Sequence, residues 1–174
     1  TLATKRTSAE RLAPGVDPNA IVIESYANPF RTYPLAMDYH RFKKLISDGV
    51  ACYILNTGEF MGKKVTKYDT LGILEAIIDN TETFVPFGGI PGMEIIEWKD
   101  FNVEFTDTYI TSLYNRMLER LNFIRSRDID KYGIDILPED AHEAIGKVIT
   151  YIHGMAKDKT MLKPIPSRLW KEKS

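Results

Sequence analysis

Between positions 56 and 70 the chain gathers residues able to hold an anion. Gly58 and Gly62 flank Glu59-Phe60-Met61, Lys63, Lys64 and Lys67 follow, and Thr70 adds a hydroxyl. Glycine lets backbone approach a ligand closely. The lysines bring positive charge to the start of a predicted helix, whose free N–H groups favour anions. A phosphate or nucleotide ligand suits that chemistry. An ordinary strand–loop–helix connection with solvated lysines uses the same residues, and on residue types alone it is the simpler reading. A Walker-type loop is excluded: only three residues separate Gly58 from Gly62, and Lys64 follows Lys63 where Mg²⁺ would need a hydroxyl.

Other chemistries find less support. His142 and His153 fall on one predicted helix, roughly 16 Å apart at the α-helical rise, and His40 is remote in sequence. No His-Glu-x-x-His spacing or Cys/His cluster is present, so no metal site is expected. No Gly-x-Ser-x-Gly elbow occurs. Cys52 is the single cysteine, which rules out an intramolecular disulfide. Its apolar neighbours predict an inert buried thiol, and the absence of a stapled scaffold suits a reducing cytoplasm. No catalytic residue is assigned.

These residues must be positioned by a folded core. The chain has 174 residues, 44% hydrophobic and 27% charged, with a formal net charge of -1. That composition predicts a globular fold and no electrostatic footprint for nucleic acid or anionic membrane. No run approaches the roughly 18 apolar residues of a membrane span. Residues 1–19 read as an irregular lead-in. Ala20–Ser25 and Val50–Leu55 read as buried strands, the second apolar on both parities as in a central strand. Asp38 is placed to cap a helix over 39–47 that buries Phe42, Leu45 and Ile46. Lys63–Thr66 and Met93–Ile96 read as short strands. A helix over 68–79 presents Leu71, Leu74, Ile77 and Ile78 on one face, with Asn80 to close it. A longer helix runs from Thr106 or Asp107 to about Arg125, with Tyr109, Leu113, Met117, Leu121 and Ile124 in register. The last begins at Pro138 and reaches about His153, and residues 157–174 read as an extended, partly disordered tail. The order of elements predicts an α/β fold: a mixed sheet flanked by helices.

The order of segments adds a family. Pro29-Phe30, a helix containing Tyr39, the run Tyr53-Ile54-Leu55 ending in Asn56-Thr57-Gly58, then Gly62-Lys63-Lys64-Val65, Thr70 and Ala76-Ile77-Ile78-Asp79 resemble the C-terminal half of ATP-dependent phosphoenolpyruvate carboxykinase. Phe87, Pro91-Gly92, Trp98 and the helix from Asp107 are similar downstream, and Glu10 and Asp17-Pro18 upstream. The resemblance covers residues 5–125. It implies the C-terminal half of that family's mononucleotide-binding domain, with a carboxykinase-like, nucleotide-facing subdomain over 1–127 and a helical extension with a flexible tail over 128–174. It also implies that Lys64, Val65 and Thr70 hold the adenine end of ATP, beside Asn56, Thr57 and Gly58, with Asp17 near the nucleotide. Lys64 stands where the family has arginine, losing a planar donor fork, and Glu59-Phe60-Met61 departs from the family's loop. The family's phosphate loop, metal-binding Asp and His, and substrate arginines have no counterpart here. The resemblance therefore implies ATP with Mg²⁺ or Mn²⁺ for a full-length protein, none of it held by this chain alone. The implied partners are the nucleotide and the remainder of its own polypeptide. Two alternatives stay open: a nucleotide-binding or kinase-like protein with a different acceptor, and a non-enzymatic module that docks through residues 128–174.

Overall fold

The structure, a computed structural model, describes residues 2–5, 14–15, 21–24, 31–99, 101–127 and 136–164. Strand β1 (Leu2–Lys5) pairs antiparallel with β2 (Ile21–Glu24), Leu2 opposite Glu24. Helix α1 (Leu35–Ser47) follows, then the short strands β3 (Glu59–Phe60) and β4 (Lys63–Lys64). Helix α2 (Lys67–Asp79) leads to β5 (Phe84–Pro86) and β6 (Glu94–Ile96), antiparallel with Phe84 opposite Ile96. Helices α3 (Asp107–Arg127) and α4 (Glu139–Met155) precede a 3₁₀ turn at Lys159–Met161. The fold is thus a mixture of helices and small antiparallel sheets, and among the described residues every sheet has two strands.

The chain forms two compact units, Thr1–Val50 with Arg116–Gly146, and Ala51–Asn115 with Lys147–Ser174. In the first, Leu35, Ile124, Leu137 and Ala141 form an apolar cluster, with Tyr39, Phe123 and Ile145 packed against it. Lys43 reaches from α1 to Asp140 of α4 as an ion pair. In the second, Phe87, Phe105 and Tyr109 stack edge to face in series. Tyr114, Ile149 and Ile152 are fully buried there. The Tyr114 hydroxyl donates to the Lys163 carbonyl at 2.7 Å. Leu162 is buried as well, so the start of the expected extended tail carries a 3₁₀ turn and one buried anchor, while residues 157–160 and 163–164 are exposed.

Several sequence expectations are corrected. The run Val50–Leu55 forms no strand, and its side chains are exposed, Ile54 to 85%. Apolar, β-prone composition prepares a strand, but a strand exists only where a neighbour supplies the ladder. Here β5 pairs with β6, and no ladder forms on the run. The expected mixed sheet is therefore missing among the described residues, and Cys52 is exposed rather than buried. The lead-in expected to be irregular contains β1, whose signal is too short to register without its partner β2.

Helix α1 starts four residues before the expected start at Tyr39, because the Pro34 carbonyl accepts from Met37 N–H. Asp38 is then not the cap. It is a buried first-turn residue accepting from the Tyr33 hydroxyl at 2.9 Å, where the helix dipole favours its charge. The expected α1 face of Phe42, Leu45 and Ile46 is exposed. Helix α2 is also turned from expectation: Leu71, Leu74 and Ile78 face solvent, Ile78 at 75%. In α3 the buried stripe is Ile110, Tyr114, Leu118, Leu121 and Ile124.

Candidate functional site

Strands β3 and β4 form a hairpin with Phe60 opposite Lys63. Its two-residue turn places Met61 at φ 52° and Gly62 at φ 78°. Two positive φ values make this the type I′ turn whose twist suits a tight hairpin. The base of the hairpin is fastened at three points. Asn56 Oδ1 accepts from Gly58 N–H at 2.9 Å, Asn56 Nδ2 donates to the Glu59 carbonyl at 3.1 Å, and Val65 N–H donates to the Gly58 carbonyl at 2.9 Å. Asn56-Thr57-Gly58 and Lys64-Val65 therefore form one lip, with Val65 buried and Lys64 and Thr57 exposed.

The lip continues into the first turn of α2. Thr66 caps this helix: its hydroxyl oxygen accepts from Asp69 N–H, and the Asp69 carboxylate accepts from Thr66 N–H at 3.0 Å. This reciprocal arrangement satisfies two helix-end donors at once. The Thr66 hydroxyl also donates to Asp69 at 2.6 Å. One turn on, the Thr70 hydroxyl donates to the Thr66 carbonyl at 3.2 Å. Asp69 further accepts from the Trp98 indole N–H at 3.3 Å and faces Lys99 at 3.7 Å. Trp98 lies so close to α2 that a methyl group on Gly72 would come within 2.8 Å of the indole. That close approach fixes the rotation of α2 and explains why Ile73 and Ile77 turn inward.

The bonds from Thr66, with help from Trp98 and Lys99, hold the Asp69 carboxyl at about 2, below its ordinary value of 3.8. The fold therefore favours the deprotonated form. The resulting stabilisation is complete above the unfolded value and is lost as pH falls through about 2. Urea unfolding followed by circular dichroism should show the midpoint falling between about pH 4 and pH 2. Asp69→Asn should have a lower midpoint at neutral pH and a shallower acid decline.

An apolar groove of about 720 Å³ opens beside the lip. Residues 51–56 form one wall, and Phe60, Val65, Asp69, Ile73, Trp98 and Phe101 contribute to the others. The expected cationic cluster is spread by aromatic contacts: Lys63 Nζ sits 4.8 Å from the Phe101 ring centre and Lys67 Nζ 5.1 Å from that of Tyr68. The N-terminus of α2, expected to attract an anion, already holds the Asp69 carboxylate. A second anion there would meet like charge. The arrangement suits a flat, largely apolar group with a few polar edge atoms better than a phosphate.

Of the residues the sequence singles out, Asn56, Thr57, Gly58, Lys64, Val65 and Thr70 fall within the lip and the helix turn that follows it. Asp17 lies outside the described residues. Thr66, Asp69 and Phe101 were not anticipated, and Trp98 entered only through the resemblance, without a role in the site. The first two carried a signal, the Thr-x-x-Asp spacing of a capping box ahead of a helix. Among the described residues no group of three or more His, Cys, Asp or Glu side chains could hold a metal ion, and no helix is long and apolar enough to cross a membrane. The chain matches no family model, no curated protein and no solved structure.

Proposed function

We propose that this chain forms the adenine-side wall of the nucleotide site in an ATP-dependent, phosphoenolpyruvate carboxykinase-like phosphotransferase. Groups that hold the phosphates, the Mg²⁺ or Mn²⁺ and the second substrate come from the remainder of its own polypeptide. The observation that carries this reading is the 2.9 Å bond from Val65 N–H to the Gly58 carbonyl. It joins Asn56-Thr57-Gly58 to the stretch from Lys64 to Thr70, two segments that the family resemblance places around adenine.

The local chemistry fits a base better than a phosphate. Val65 offers an aliphatic contact to a purine face beside the apolar groove. Thr70 spends its proton on the Thr66 carbonyl, so its oxygen remains able to accept from an exocyclic amine. Lys64 reaches from the exposed rim. The same reading extends to the fold: Val50–Leu55 becomes a strand only within the fuller sheet of a carboxykinase nucleotide domain, and the bare apolar side chains of 53–55 and α2 are surfaces that the rest of the polypeptide covers. It also places the protein in the cytoplasm.

The test is a ligand-observed NMR titration of the whole chain with adenosine. Saturation should transfer to the adenine protons more strongly than to the ribose. Thr70→Val should weaken binding about fivefold, the worth of one hydrogen bond, and Lys64→Ala should weaken ATP more than adenosine. Equal binding by wild type and both variants would remove the reading.

Lys64 in place of arginine, and Glu59 in the hairpin, favour a second reading: a kinase-like protein with a different phosphoryl acceptor. Oxaloacetate conversion by the full-length protein would decide for the carboxykinase. A third, an interaction module that docks through residues 128–174 without nucleotide chemistry, draws on the amphipathic helix after Pro138. Adenosine would leave such a module unchanged.

A further inference from the structure

Two parts of the candidate site come from different local structures. Lys64 and Val65 belong to the β3–β4 hairpin and its exit, whereas Thr70 belongs to α2. The hairpin has only two residue pairs and a non-glycine residue, Met61, in the left-handed region of its turn. Short hairpins are marginal in water without further packing. Something beyond its own ladder must hold it at a fixed distance from the helix.

Trp98 and Phe101 meet both parts. Phe101 N–H donates to the Trp98 carbonyl at 2.9 Å, which ties the two together. At one end, Trp98 donates to Asp69 and lies against Gly72, fastening the pair to α2. At the other, the Phe101 ring takes the opposed hairpin pair together: Phe60 lies 6.4 Å away centre to centre, tilted by 56°, and the Lys63 ammonium 4.8 Å from the ring centre. The face of an aromatic ring attracts an ammonium through its quadrupole, which an aliphatic side chain of similar size cannot do.

We propose that Trp98 and Phe101 together clasp the hairpin to the start of α2, and that Phe101 is a positioning residue for the purine site. This rests on the nucleotide reading above. Phe101 also lines the groove, and the role assigned to it here is positional. It sets where Lys64 and Val65 stand relative to Thr70, and its aromatic face is the property that matters.

The test compares Phe101→Leu, Phe101→Tyr and Trp98→Phe in the whole chain, by adenosine titration and by amide hydrogen exchange. Phe101→Leu should weaken adenosine binding about threefold, the value of an exposed cation–π contact, and speed exchange of the Val65 amide while amides in α4 stay unchanged. Phe101→Tyr should restore both to wild-type values, which simple loss of packing volume would not predict. Trp98→Phe, which keeps a ring but loses the bond to Asp69, should loosen the start of α2 and weaken adenosine similarly. If wild type does not bind adenosine, the nucleotide reading falls and this role falls with it. If wild type binds and Phe101→Leu matches it in affinity and Val65 exchange, the clasp alone is wrong.

Discussion

Truncating Tyr114 to alanine should cost the fold about 3–5 kcal/mol, the range for large buried aromatics. Tyr114 is 0% exposed and is the largest fully buried side chain among the described residues. Its ring lies 5.9 Å centre to centre from His153, and its hydroxyl holds the Lys163 carbonyl. The substitution leaves a cavity and removes that carbonyl's partner. A domain of ordinary stability has about 5–15 kcal/mol in all, so the loss is a large share of the total and should lower the urea midpoint strongly. Tyr114→Phe keeps the ring and loses only the bond, which should cost about 1 kcal/mol. Urea denaturation of the two variants separates packing from hydrogen bonding.

Gly88→Ala should cost about 2–5 kcal/mol, from two sources that both act on the folded state. Gly88 has φ +61°, where a β-carbon costs about 1–2 kcal/mol. The added methyl would also stand 2.5 Å from Met155 Cε and 2.9 Å from the Phe105 ring, and forcing an extra carbon into a packed site costs about 1–3 kcal/mol. Because Phe87 packs on Phe105, the strain should reach the exit of β5. Met155→Ala in the same chain should recover part of the loss by vacating the nearest contact. Thermal unfolding monitored by circular dichroism would measure both.

Local signals were legible where one short stretch contains its own stop and start chemistry. Helix α2 was expected over 68–79 and spans Lys67–Asp79, because Asn80 adopts the left-handed conformation that closes it. Helix α4 begins just after Pro138, as proline at a helix start predicts. The direction in which a helix faces was less legible. Leu71, Leu74, Ile77 and Ile78 looked like the buried side of α2, but only Ile77 of these turns inward: the indole of Trp98 seats on Gly72, and Ile73 joins Ile77 on the covered side. That contact joins residues far apart in sequence, so periodicity within the helix could not reveal it.

The same limit applies to Val50–Leu55, whose composition suits a central strand although no ladder forms on it. In the candidate site, Asn56–Gly58, Lys64, Val65 and Thr70 were visible as a motif. Their fastening was not: the bond from Trp98 to Asp69 spans 29 residues, and the grip of Phe101 on Phe60 and Lys63 depends on a hairpin of which the sequence suggested only the second strand, at Lys63.

The most direct test is a backbone amide chemical-shift titration of the whole chain, run in parallel with adenosine and with inorganic tripolyphosphate. Adenosine should move the amides of residues 56–58, 64–65 and 70 together along a single binding curve, and tripolyphosphate should leave those of 66–70 in place because the Asp69 carboxylate occupies that end of α2. Shifts from tripolyphosphate centred on residues 66–70, with no response of 56–58 and 64–65 to adenosine, would contradict a purine-facing lip.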